Sequence, residues 1–399
     1  MIDRRTFLAS GAAAVLLGAK HVAASPGNLT ESFELLDNRA FVTVRMQGRN
    51  QQARDVSCWF DTGGGVLLIT RDVARSLALE PTGAIQSNED EHFQTVSPPR
   101  ISIGGIDIPV STSQAMISLG GATTAPGIPA QGFLPGHLLR DHRVLIDYPA
   151  RRFGLDSLPD SGAARIPIQI DPRSGFIRIE AVIDGERVGL LLDTGASSTM
   201  LSRAFVDRLL AKHPEWKHAS GAYGPANMSG TKTDLTAKML RVPQLEIGSV
   251  VLHDVVAVSR PVGVFEQWMS SMLPSPIVGA LGGNALRNLR IQIDYPQNQL
   301  TALHTDSPVA HEFDVVPLTL MPTYHGYQIT GVMPGAKVSA APDALIGKQL
   351  IAIDDETIEG KDLGQVFGLL RGKPGTSRRL RVGSSSSSQV VTATISHVL

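Results

Sequence analysis

The chain has 399 residues, a formal net charge of −1, and 42% apolar against 18% charged residues. A prior of about 150 residues per domain asks for two or three domains, and the composition is that of a folded globular protein rather than a disordered or multi-spanning one. Near-neutral charge spread along the chain excludes the electrostatic footprint of nucleic-acid binding or of an anionic membrane surface. The single cysteine, Cys58, excludes an internal disulfide and a multi-cysteine metal site.

In chain order, residues 1–24 read as an export signal. Arg4-Arg5 precedes Thr6-Phe7-Leu8, and the apolar stretch 11–19 is too short to span a bilayer. The small residues Val22-Ala23-Ala24 then offer a cleavage site before Ser25. The paired arginines resemble a twin-arginine signal, which implies a periplasmic destination and a cargo exported already folded. A general secretory signal or an uncleaved anchor is the alternative, and no membrane contact is expected beyond the signal itself.

A repeat organises the residues that follow. Its first copy has the alternating stretch Phe41-Val42-Thr43-Val44-Arg45, a polar turn at Gly48, the apolar run Cys58-Trp59-Phe60 and Asp61-Thr62-Gly63-Gly64-Gly65. Its second copy has Phe176-Ile177-Arg178-Ile179-Glu180, a turn at Asp184-Gly185, Leu190-Leu191-Leu192 and Asp193-Thr194-Gly195-Ala196-Ser197. Each copy closes on an apolar strand ending in Asp-Tyr-Pro, at Asp147-Tyr148-Pro149 and Asp294-Tyr295-Pro296. Period-two alternation bounded by Gly and Pro turns predicts two mainly β lobes, at residues 30–160 and 161–303. Helices are expected over 71–79 and 202–213, with short ones near 137–140 and 284–288. After a polar linker at 304–314, residues 315–399 predict a separate small α+β domain.

Peptide hydrolysis by water needs a base for the nucleophile and an acid for the carbonyl oxygen. Two carboxylates held face to face supply both, because like charges at about 3 Å cannot both ionise and the pair retains one proton. Asp61 and Asp193 each end an apolar strand, which buries them. Gly63 and Gly195 permit tight turns and close backbone approach, and the hydroxyls of Thr62 and Thr194 can brace the turns. Asp147 and Asp294 read as strand-ending structural residues. No His-Glu-x-x-His, Gly-x-Ser-x-Gly or phosphate loop is present, the histidines read as singletons, and no cofactor or metal is expected.

These residues resemble the retropepsin-like aspartic proteases, a likeness covering roughly residues 30–303. It implies two acid-protease β-barrel lobes forming a pseudo-dimer, with Asp61 and Asp193 catalytic and a peptide or protein as substrate. Family members pass an apolar-apolar-Gly element behind the catalytic loop. Ala280-Leu281-Gly282 matches it, whereas the first lobe has Phe133-Leu134-Pro135 with Gly136 displaced by one. The likeness also implies a glycine-bearing flap, for which 222–231 with Tyr223 and Gly224 is the candidate. Its first-lobe counterpart near 87–95 is acidic and glycine-free, so one asymmetric flap is expected.

Residues 315–399 resemble a PDZ module, with Gly326, Tyr327, Gln328 and Ile329 as candidate carboxylate loop. This implies capture of a C-terminal peptide by strand addition. The alternative to an endopeptidase is an exported peptide-binding protein that keeps the protease fold without cleaving. A third possibility is a protease whose C-terminal domain restrains its cleft.

Overall fold

The computed structural model describes residues 30–88, 91–111, 115–120, 130–158, 161–221, 236–305, 313–323, 326–383 and 387–399. The expected signal lies outside them. The protein is mainly β, built from barrel-like and half-barrel sheets.

Both copies of the repeat fold alike. In the first, Arg39–Gln47 and Ala53–Asp61 form an antiparallel hairpin with Phe41 opposite Trp59 and Val44 opposite Val56. Alternation puts Val42, Val44 and Met46 in the core and Thr43 and Arg45 outside. In the second, Ile177–Ile183 pairs with Glu186–Leu192 across Asp184-Gly185. Both turn residues have positive φ, 53° and 75°, as a two-residue hairpin turn matched to strand twist requires.

Each aspartate-bearing strand is then flanked by a parallel partner. Gly132–Pro135 runs beside Ala53–Asp61 and antiparallel to Leu67–Thr70; Gly279–Leu281 runs beside Glu186–Leu192 and antiparallel to Thr199–Ser202. At Gly279 a Cβ would come within 2.2 Å of the Met200 carbonyl oxygen, so the two backbones meet only because the residue is glycine. The displaced glycine of the first copy is accommodated. Leu134 still pairs with Phe60, and Pro135 takes the last strand position, where its missing N–H breaks no interior ladder bond.

The expected helices form, with adjusted ends. Arg71–Ser76 stops short of residue 79 because Ala78 turns left-handed (φ 49°), which returns Leu79 to the core. Arg203–Lys212 begins on Ser202, whose hydroxyl accepts the Phe205 N–H at 3.1 Å. The short ones are a 3-10 turn at Gly136–Leu139 and an α turn at Gly283–Leu286. Two further turns, Val264–Met269 and Ser270–Met272, carry no clear period in the sequence.

The strands ending in Asp-Tyr-Pro tie the copies together. Arg143–Asp147 pairs antiparallel with Leu289–Asp294, with Arg143 opposite Asp294, Leu145 opposite Gln292, and Asp147 opposite Arg290. Equivalent residues thus exchange roles about the middle of the pairing, the self-complementary pattern of a two-fold interface within one chain. Asp147 accepts the Ala150 N–H at 2.9 Å and Arg290 Nη1 at 3.1 Å, and Asp294 accepts the Gln297 N–H, so both do turn-closing work. One continuous apolar core runs through both copies.

Residues 313–399 form a six-stranded sheet with helices Pro342–Leu345 and Leu363–Leu370. Its core is continuous with Ala237, Met239, Val256 and Val258 of the second copy, so the unit is docked rather than tethered. Tyr327 and Ile329 are buried in that core, and the strand Gly326–Val332 has neighbours on both sides, Leu318–Thr323 and Gln349–Ile353. Tyr327 also donates its hydroxyl to the Lys361 carbonyl at 2.8 Å.

Candidate active site

The two Asp-Thr-Gly turns meet at the junction of the copies. Thr62 and Thr194 are buried and lock them reciprocally. The Thr62 hydroxyl donates to the Leu192 carbonyl at 2.6 Å and accepts the Thr194 N–H at 3.0 Å. The Thr194 hydroxyl donates to the Phe60 carbonyl at 3.1 Å and accepts the Thr62 N–H at 3.1 Å. Four buried bonds between segments 132 residues apart therefore fix where each carboxylate points. Thr194→Val, which is close to isosteric, strands a buried carbonyl and a buried N–H. We expect it to cost about 2–4 kcal/mol in chemical denaturation, with Thr194→Ser recovering most of it.

Each glycine faces the opposite aspartate. A Cβ at Gly195 would lie 2.3 Å from Asp61 Oδ1, and one at Gly63 would lie 3.0 Å from Asp193 Oδ1. Asp61 and Asp193 are half-buried, and their carboxyls act on each other through a hydrogen bond. Burial lifts both above the usual carboxylate range, and at Asp61, pushed up to about 7, the Asp193 charge adds to the effect.

The pair is not symmetric. Asp193 Oδ1 accepts two backbone N–H groups, from Gly195 at 3.0 Å and Ala196 at 2.9 Å. Asp61 Oδ1 accepts one, from Gly63 at 2.8 Å, while the Gly64 N–H turns to the Asp61 main-chain carbonyl at 3.4 Å. The better-solvated Asp193 therefore carries the charge, and Asp61 keeps the proton that joins them. Gly64 departs from the Ala196 pattern for lack of space, since a Cβ there would sit 2.9 Å from Asp61 Oδ2.

Several contributors were not legible as functional in the sequence. Arg39 donates from Nε to the Gly195 carbonyl at 2.9 Å, stacks its guanidinium 4.6 Å over the Trp59 ring, and lowers the pKa of both aspartates through its charge. His137, mostly buried and pushed down to a pKa of about 4, is neutral and hydrogen-bonds the Gly64 backbone. It is thus part of the first turn's support rather than a singleton. Tyr148 and Tyr295, directly after the closing strands, are buried, and their phenols are raised by burial and by the charges of Asp193 and Asp61 respectively. Each tyrosine feels the charge of the aspartate of the other copy; the repetition of Asp-Tyr-Pro was the one available signal.

The flap candidate with Tyr223 and Gly224 lies outside the described residues. In the first copy, Pro81–Asn88 and Glu91–Val96 pair as an antiparallel hairpin against Ala115–Gly120, so the glycine-free segment still builds a hairpin there. A search of curated proteins gives no match for the chain. A family model described as aspartyl protease matches residues 179–285, the stretch that holds Asp193 and the Ala280-Leu281-Gly282 element.

Proposed function

We propose that this chain is an aspartic endopeptidase in which Asp61 and Asp193 share one proton and one water. The observation that carries the reading is the four-bond lock between Thr62 and Thr194, which brings together two half-buried carboxyls that share a hydrogen bond. Asp193, ionised, takes a proton from the water as it attacks the peptide carbonyl carbon. Asp61 gives its proton to the carbonyl oxygen. The resulting tetrahedral diol collapses when the proton held by Asp193 passes to the amine nitrogen, the C–N bond breaks and one diol hydroxyl returns its proton to Asp61, leaving a carboxyl, an amine and the dyad with its single proton. The Gly64 and Pro135 departures that would favour a non-cleaving binder are both accounted for by packing, so no observation favours that alternative.

Only the singly protonated pair is active, which fixes the pH dependence. Activity falls at low pH as Asp193 is protonated, and falls again as Asp61, pushed up to about 7, loses its proton. Incubating the purified chain with an acid-unfolded protein from pH 3 to pH 8, and counting new amino termini, tests this. We expect a bell with its alkaline limb near neutrality. A rate rising steadily into alkaline pH would contradict a shared-proton mechanism.

We further propose export by the twin-arginine-like segment at 1–24 and a PDZ-like peptide-binding role for residues 315–399. Because Gly326–Val332 is paired on both sides, an added peptide strand would lie along Leu318–Thr323, an edge of that sheet. Crosslinking a C-terminal peptide to Met321, which is 39% exposed, would support this geometry; labelling confined to other strands would contradict it.

A further inference from the structure

Asp37 and Asn38 are the two left-handed residues (φ 48° and 61°) of the hairpin turn between Glu34–Leu36 and Arg39–Gln47. Such turns are ordinarily solvent-facing tips, yet the Asp37 and Arg39 side chains, joined as an ion pair, retain only 9% and 11% exposure. The turn is wedged between the second catalytic loop and the C-terminal unit. On the catalytic side, Arg39 Nε holds the Gly195 carbonyl, Asn38 Nδ2 donates to the Ser197 carbonyl at 3.2 Å, and the Ser197 hydroxyl bonds the Asp37 carboxyl. Arg287 reaches Asn38 Oδ1 at 3.4 Å. On the other side, a Cβ at Gly364 of helix Leu363–Leu370 would stand 3.7 Å from the Asp37 nitrogen, and Arg371, directly after that helix, acts on Asp37 through its charge.

We propose that Asp37 and Arg39 form a positioning pair through which the C-terminal unit sets the charge balance and placement of the catalytic turn carrying Asp193. This rests on the protease reading above. The groups facing Asp37 are Arg39 on its own hairpin, Ser197 on the catalytic loop and Arg371 on the C-terminal unit. An ionised Asp37 neutralises Arg39, whereas a neutral Asp37 turns the full Arg39 charge on the dyad and favours its ionised form. Burial holds Asp37 at about 6 despite two guanidinium groups, so it changes charge in the range where the dyad works. Arg371 favours the ionised Asp37; anything that draws Arg371 away, including a ligand on the C-terminal unit, makes Asp37 neutral more often.

The sign of one effect separates this relay from a plain field effect. Removing a positive charge that acted directly on the dyad would raise its pKa values. Arg371→Gln acting through Asp37 lowers them, because Asp37 neutralises more readily and unmasks Arg39. The test is a 13C-carboxyl NMR titration of aspartate-labelled mature chain, alongside the pH profile of cleavage. We expect Arg39→Gln to move the dyad titration to higher pH, and Asp37→Asn and Arg371→Gln to move it to lower pH. Arg39→Lys keeps the charge but not the Nε–H bond to Gly195, so its titration should stay put while kcat falls about ten- to a hundredfold with KM little changed. No shift on Arg39→Gln, or an upward or absent shift on Arg371→Gln, would overturn the proposal. If Arg39→Gln does not fold, the other three variants still decide. Should Asp193→Asn cleave as fast as the natural chain, the protease reading falls, while the titration still reports on the relay.

Discussion

Asp61→Asn should abolish hydrolysis and, at neutral pH, raise the melting temperature. The rate loss follows from removing the acid that protonates the carbonyl oxygen and is expected to be about a thousandfold or more. The gain in stability follows from the raised pKa. Asp61 moves from 3.8 unfolded to about 7 in the folded protein, so between those values the native state binds more protons than the unfolded chain. Stability therefore falls as pH rises through that window and stays lowered above it. Asparagine removes one of two desolvated acids without taking away its hydrogen-bonding capacity. The variant should be more stable than the natural chain by about 2–4 kcal/mol at pH 8, with the difference closing near pH 4. Thermal melts at both pH values measure this, and equal melting temperatures at pH 8 would mean that Asp61 is not held against Asp193.

Gly195→Ala should be nearly as damaging to activity while leaving every ionisable group in place. Its Cβ would stand 2.3 Å from Asp61 Oδ1 and 2.4 Å from Asp61 Cγ, closer than such atoms approach. The carboxyl must swing away or the two turns must separate. Either displacement breaks the shared hydrogen bond, with an expected kcat loss of about a hundredfold or more and a stability cost of about 1–3 kcal/mol from overpacking. Gly368→Ala is the matched control. It lies in helix Leu363–Leu370 with nothing within 4 Å of the added carbon, so activity should be unchanged and stability should rise by about 0.5–1 kcal/mol.

The parts of this architecture that were legible in the sequence are those in which neighbouring residues carry their own signal. Alternation at 41–45 and 177–179 gives strands, Asp184-Gly185 gives the turn, and Ser202 marks a helix start. The duplicated Asp-Thr-Gly drew attention to both carboxylates because repetition in register is informative where a single turn is not. Arg39 and Asp37 carried no such signal. Their importance depends on a contact with Gly195, 156 residues away, and on a C-terminal helix end that no local pattern places beside them. His137 looked like a singleton because Gly64, its partner, is adjacent only after Gly132–Pro135 has docked beside the Asp61 strand. Gly64 stands where the second turn has Ala196, and its packing against its own aspartate shows a space requirement there. The asymmetry of the pair comes from a single extra N–H, that of Ala196, which no local sequence pattern signals.

A double-mutant cycle on cleavage of an unfolded protein tests the shared site most directly, comparing the natural chain with Asp61→Asn, Asp193→Asn and the double variant at the pH optimum. If one water and one proton are held between the two carboxyls, either single change removes the whole device. The double variant should then be no slower than the singles, by release of new amino termini. Independent losses that multiply in the double variant, or a single variant that still cleaves at the natural rate, would contradict a joint role for Asp61 and Asp193.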